Sequence, residues 1–139
     1  MSFRDITQIA GSAMTAQTVR MNAIASNMAN ADVAASNEDA AYRARKPVFA
    51  SVLLQGGYAE GGPAGVQVLD VVESNQPLRQ VHQPGHPAAD ETGNVLYSNV
   101  NMVEEMTDML SASRAFASNV ELLTRANAMQ LALLKMGQV

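Results

Sequence analysis

The sequence contains no cysteine. Disulfides, thiol nucleophiles and thiolate metal sites are therefore excluded. Basic charge is also sparse: nine Lys and Arg stand against thirteen Asp and Glu, giving a net charge of −4, and the basic residues form no stripe able to neutralise phosphates. Nucleic acid is accordingly a poor partner. Aromatics make up only 4% of a chain that is 47% hydrophobic, so its 139 residues can hold one domain with a modest core, or a small domain with appendages. A two-domain enzyme does not fit that length. Long apolar runs are missing as well. The opening MSFRDITQIAGSAM is interrupted by Asp5, Gln8 and Gly11, so it has neither a signal-peptide core nor a membrane span. If the protein leaves the cytoplasm, it is expected to do so by a route that cleaves no such signal.

Residues that carry chemistry are few. The two histidines, His82 and His86, are four apart, but Pro84, Gly85 and Pro87 forbid the helix that would align them, and only Asp90 and Glu91 offer nearby oxygens. The glycine-rich GGYAEGGPAG at 56–65 lacks P-loop spacing and is not followed by a Lys-Ser or Lys-Thr pair. Such glycines serve a flexible loop or hairpin tip. Serines are plentiful, yet no G-x-S-x-G element occurs. No catalytic, cofactor-binding or metal-binding residue is assigned, and no cofactor is expected.

What the sequence does have is helix at both ends. From Asn101 to Met136 there is neither Gly nor Pro, and Ala, Leu, Met and Glu dominate. About 35 residues at 1.5 Å each would run roughly 50 Å, too long for a chain of this size to bury alone. Alternating steps of three and four pick out Val103, Met106, Leu110, Ser113, Ala117, Val120, Thr124, Asn127, Leu131 and Leu134, a heptad seam with polar interruptions. A second row, Met102, Met109, Phe116, Leu123, Gln130 and neighbouring Leu133, widens the apolar face enough to contact more than one helix. Periodicity alone fits a core helix of a small bundle as well as a packing helix in a larger assembly. Asn101 reads as the N-cap, with Glu104 in capping-box register and Glu104 and Glu105 both suited to the positive end of the helix dipole. Glu121 and Arg125 are spaced for a helix-face ion pair.

At the other end, Ser2 followed by Asp5 resembles a helix start, and the stretch to about Met28 lacks proline. Ile6, Ile9, Ala13, Ala16, Val19 and Ala23 recur at helical spacing. This narrow face of small residues would let the bulkier C-terminal helix approach closely. Between the helices, YRARKPVFASVLL predicts an edge strand or extended arm because of Pro47, VQVLDVV a strand, and LRQVHQ and NVLYSN two short strands about the Pro84-Gly85-His86-Pro87 turn. The nine methionines cluster in the helices, which suits surfaces that meet non-identical neighbours. The fold class is thus α+β: a helix over 1–31, a loop and small β-rich module over 32–98, and a long helix over 99–139 that packs with the first as a coiled-coil-like pair.

Three segments together resemble the flagellar basal-body rod proteins, and within that axial family its proximal-rod members. DITQIAGSAMTAQTVRMNAIASNMANAD, from Asp5, closes the first helix with Ser26, Asn27, Ala29, Asn30 and Ala31 in the manner of the rod signature. HQPGHPAADETGNVLYSNVN carries Gly85, His86, Pro87, Asn99, Val100 and Asn101, and VEEMTDMLSASRAFASNVELL, from Val103 to Leu123, resembles the family's C-terminal helix. Two departures stand out. Asp32-Val33 replaces the Asn-Thr common in related rod and hook proteins, and Ser98 stands where a proline is usual.

The resemblance implies a structural rod subunit, exported through the flagellar type III apparatus and built into the rod that crosses the periplasm. Implied partners are copies of itself, the other proximal-rod and distal-rod proteins, and the adaptor that joins the rod to the export gate and MS ring. The subunit interface is expected at Ile6, Ile9, Ala13, Ala16, Val103, Met106, Leu110, Phe116, Val120, Leu123, Leu131 and Leu134. A soluble helical adaptor or export-chaperone-like module would share the wide Met-rich face, and the two rod-type motifs separate the readings.

Overall fold

A computed structural model describes residues 2–53 and 64–137. The first helix, α1 (Phe3–Asn30), opens on the expected reciprocal cap. Ser2 N donates to Asp5 Oδ2 at 2.7 Å, and the Ser2 hydroxyl accepts from the backbone of the first turn. Two orphan donors are satisfied at once. Its buried residues are mostly small, Ala10, Ala16 and Ala23 beside Ile24 and Asn27, which is what allows close packing on more than one side.

The second helix, α2 (Met102–Met136), is capped by Asn101, whose side chain accepts from Val103 N at 3.1 Å. It runs antiparallel to α1. Arg20 near the C-terminal half of α1 pairs with Asp108 at 2.9 Å, and Phe3, Arg4 and Thr7 share a groove with Gln130. Because α2 has 35 residues and α1 has 28, α2 overhangs, and every described residue after Ala126 is exposed.

The face of α2 that packs inside the chain differs from the expected seam. Met102, Glu105, Met109, Ala112, Phe116, Asn119, Leu123 and Ala126 form an unbroken series of alternating three and four steps, all buried or half-buried. The row beginning Val103, Met106, Leu110 and continuing to Leu134 is exposed throughout. The inner seam is therefore one residue over, the row that holds Met102, Met109, Phe116 and Leu123. Two adjacent apolar rows give the same period, so the rotation of the helix is set by what α1 offers: Arg20 for Asp108 and Asn27 for Glu105.

The β structure divides into two sheets. Strands β2 (Arg45–Leu53) and β3 (Ala64–Glu73) form a long antiparallel ribbon, while β1 (Ala34–Ala35), β5 (Asn94–Tyr97) and β4 (Arg79–His82) make a small sheet in that order. A two-stranded ribbon is marginal alone. Here it lies along α1, where the Ser12 hydroxyl donates to Ile9 O at 2.8 Å and accepts from Val66 N at 3.1 Å. Pro47 is tolerated because both strands of a ribbon are edges. Register shifts between Val48 and Phe49, which face Asp70 and Val68, leaving Leu69 as a bulge. Of the glycine-rich loop expected over 56–65, residues 56–63 lie outside the described residues, while Ala64 and Gly65 belong to β3 instead.

Gly93 makes the return from the turn after β4 into β5 possible. Its φ is +77°, and a Cβ there would stand 3.0 Å from His82 Cε1 and from Pro84 Cβ. Gly93→Ala is therefore expected to cost about 1–2 kcal/mol from the left-handed backbone alone. Thermal unfolding checks this, and an unchanged midpoint would refute the strain.

Candidate assembly surface

Asn27, in the last turns of α1, is 1% exposed and has every side-chain hydrogen-bonding capacity committed. Its amide nitrogen donates to Arg45 O at 2.9 Å and to Glu105 Oε1 at 3.0 Å. Its carbonyl oxygen accepts from Arg45 N at 2.8 Å and from the Tyr42 hydroxyl at 2.9 Å. The Tyr42 hydroxyl also lies 3.0 Å from Ser26 Oγ. One side chain thus joins α1, the start of β2 and the first turns of α2. Buried polar groups without partners are costly, so this network specifies one arrangement of the three elements.

A second bracket sits beside it. Asn99 Oδ1 accepts from Ala44 N at 2.7 Å, and Asn99 Nδ2 donates to Gln76 O at 2.9 Å and Ser74 O at 3.3 Å. It fixes the approach to α2 against one end of the ribbon, where β2 begins and β3 finishes. Both departures noted above are put to use here. Asp32 accepts from Arg79 at 2.9 Å, tying the turn after α1 to β4, and the buried Ser98 hydroxyl accepts from Val100 N at 3.0 Å.

The remaining motif residues are structural supports of this junction or lie away from it. Asn30 donates to Ser26 O at 2.8 Å and Ala31 is buried, whereas Ala29, Gly85 and Pro87 are exposed. His86 Nδ1 accepts from Ala88 N at 3.1 Å, and His82 meets Asn94 at 3.1 Å. Val100 is half-buried.

Glu105 lies in the first turn of α2 as expected, but its surroundings differ from an exposed helix end. It is not merely a first-turn carboxylate of α2 but is turned inward, 8% exposed, against Asn27. Burial pushes its pKa above the ordinary 4.5, against the lowering effect of the Asn27 hydrogen bond, with the charge of Asp108 adding to the rise. A raised folded pKa contributes stability that is fully present below the unfolded value and is lost as pH rises through the folded one. Glu105→Gln keeps an acceptor for Asn27 and removes the titration. The variant is expected to match or exceed the parent in stability at neutral pH, and its advantage should fall away in acid, where Glu105 is neutral as well. Urea unfolding across the acidic range measures this, and identical pH slopes would contradict it.

Outside the junction, the molecule presents apolar surface. Val103, Met106, Leu110, Val120, Leu131 and Leu134 are exposed, Val103 to 72%. Leu122, Met129, Leu133 and Met136 extend the surface around the overhanging end of α2. Of the other residues expected at the interface, Ile6, Ile9 and Ala13 are half-buried and Ala16 is buried on α1, and Phe116 and Leu123 belong to the inner seam. An apolar stripe of this extent exceeds the single scattered apolar residues of an ordinary surface and makes the row a candidate contact surface. Among the described residues, no helix is long and apolar enough to cross a membrane.

The sequence comparisons agree with this architecture at both ends. Residues 8–35 match the family described as flagella basal body rod protein, and residues 91–136 match the flagellar basal body rod FlgEFG protein C-terminal family. The flagellar basal-body rod protein FlgC of Escherichia coli O6:H1 is 45% identical over 138 residues, covering 99% of this chain and all of the relative. That of Salmonella typhimurium is 43% identical with the same coverage. The FlgC of Borreliella burgdorferi is 32% identical across 87% of this chain and 88% of its own. With the two terminal helices, the signature around Asn27 and the near full-length identity, the chain belongs to the flagellar basal-body rod protein family.

Proposed function

We propose that the chain is a structural subunit of the proximal rod of the bacterial flagellar basal body, part of the shaft that transmits torque. The observation that carries this reading is the exposed apolar row of α2 beside a buried or half-buried inner row: one face closes the subunit and the other is left to meet neighbours. Heterologous contacts of that kind, repeated without closure, generate open helical arrays. In the rod, the α1–α2 pair would pack against the same pair in adjacent subunits and form the inner wall, with the β structure outside. Its neighbours would be further copies, the other proximal-rod and distal-rod proteins and the adaptor to the export gate and MS ring. Arrival would be through the flagellar type III apparatus, without a cleaved signal, at a rod crossing the periplasm. The role is mechanical rather than catalytic.

Fractionation tests the proposal. The chain is expected in isolated basal bodies, and cells lacking it should build no rod beyond that point and not swim. A protein found only in the cytosol would favour the soluble adaptor instead.

A further inference from the structure

The β2–β3 ribbon has two long edges, and the hydrogen bonds around it show how far each is guarded. In an antiparallel pair, residues that bond across the ladder alternate with residues whose N–H and C=O point away from the partner strand. The register opposes Arg45 to Glu73, Pro47 to Val71, Phe49 to Val68, Ser51 to Val66 and Leu53 to Ala64. These are the outward-facing pairs. Arg45 N and Arg45 O both turn to Asn27, while Val71 N and Val66 N donate to the side chains of Asp70 and Ser12 at 2.7 and 3.1 Å. The edge of β3 is thus engaged at Val71 and Val66. The edge of β2 is guarded only over its first part, where Asn27 takes up Arg45 and Pro47 has no N–H to offer. Beyond it, Phe49 and Ser51 have no hydrogen-bond partner on that side among the described residues.

Backbone N–H and C=O groups repeated at every second residue are best met by another extended strand. Natural edges discourage such pairing with charge, proline or a covering element. The open stretch of β2, residues 48–53, carries no charge, and Phe49, Val52 and Leu53 are exposed, Leu53 to 71%. Among the described strands the remaining edges are poorer mates: β1 has two residues, and β4 has four, Arg79 and His82 among them. The edge that matches β2 is β2 itself. Turned antiparallel about Ser51, it sets Ser51 against Ser51 and Phe49 against Leu53 of the second copy. Outward-facing residues then meet outward-facing residues, and no like charges are opposed.

We propose that the open edge of β2 docks β2 of a second copy, giving a four-stranded sheet in the order β3-β2-β2-β3. A two-stranded ribbon is marginal, and added strands stabilise it. A two-fold contact closes on itself and cannot be the repeating contact of an open array. The pairing therefore belongs to the subunit outside the rod, and it stands independently of the rod reading. With about five residues a side it falls well below an interface of ~1,000 Å², so the dimer is expected to be weak and to form at about 0.1 mM chain and above.

Sedimentation equilibrium of the purified full-length protein tests it. Ser51→Lys opposes two like charges at the dyad, and Ser51→Pro removes the central outward N–H; each is expected to weaken association by at least about tenfold. Pro47 occupies the same outward register, so the unfolding midpoint of Ser51→Pro should stay close to that of the parent. Leu131→Asp should leave the dimer intact. The chain has no cysteine of its own, so Ser51→Cys supplies a single thiol that a short bismaleimide should join across the dyad, whereas Gln67→Cys on β3 should stay unjoined. A chain still monomeric at about 1 mM, a dimer that responds to Leu131→Asp but to neither Ser51→Lys nor Ser51→Pro, or cross-linking through Ser51→Cys no better than through Gln67→Cys would overturn the proposal.

Discussion

Replacing Leu131 by aspartate is expected to prevent incorporation into the rod while leaving the subunit folded. Leu131 lies on the overhanging end of α2 and is 59% exposed, so the substitution should change monomer stability by no more than about 0.5 kcal/mol. Within a contact that excludes water, the same carboxylate would be buried without a partner, a cost of about 3 kcal/mol and roughly a hundredfold in association. Leu110→Asp should act in the same way. Phe116→Asp should not, because Phe116 is half-buried on the inner seam against α1 and its loss strikes the monomer first. Paired measurements of basal-body content and urea unfolding separate the cases. Swimming at the parental rate with Leu131→Asp would remove the exposed row from the assembly surface.

Asn27→Ala carries the largest expected loss of stability. It strands Arg45 N, Arg45 O and Glu105 Oε1, and leaves the Tyr42 hydroxyl with Ser26 alone. Each buried polar group left unmatched costs about 1–3 kcal/mol, and even with partial hydration the sum should reach about 3 kcal/mol or more. The urea midpoint should drop accordingly, and the loss should shrink when Glu105→Gln is already present, because the stranded group is then uncharged. A midpoint shift under about 1 kcal/mol would show that the junction is wetter than its burial implies. The comparison with Leu131→Asp is informative. Asn27 holds three elements of the subunit together, whereas Leu131 is exposed and contributes little to its fold.

The elements themselves were largely legible. The Ser2–Asp5 box, the Asn101 cap and the absence of Gly and Pro from 101 to 136 set both helices, and β-branched residues with Pro47 marked the ribbon as an edge structure. The two-residue strand β1 was not legible, since Ala34 and Ala35 carry no strand preference and become one only by pairing with Leu96 and Tyr97. Nor was the separation of the strands into two sheets, which depends on contact with α1. Asn27 did leave a signal, a polar residue on the small-residue face of a helix, but its partners Tyr42, Arg45 and Glu105 lie 15, 18 and 78 residues away.

The sequence by itself determined two long helices, an α+β class and more apolar helix surface than one small chain can cover. Heptad spacing states that a helix has an apolar face and how wide it is, because those are local properties of a 3.6-residue turn. It does not state which half of a wide face turns inward. Only the tertiary structure decided that, through Asn27 seizing Glu105 and Arg20 seizing Asp108, which rotate α2 so that Phe116 and Leu123 close the subunit and Val103, Leu110 and Leu131 remain outside. Rotation about a helix axis is fixed by long-range contacts, and those exist only once the chain has folded.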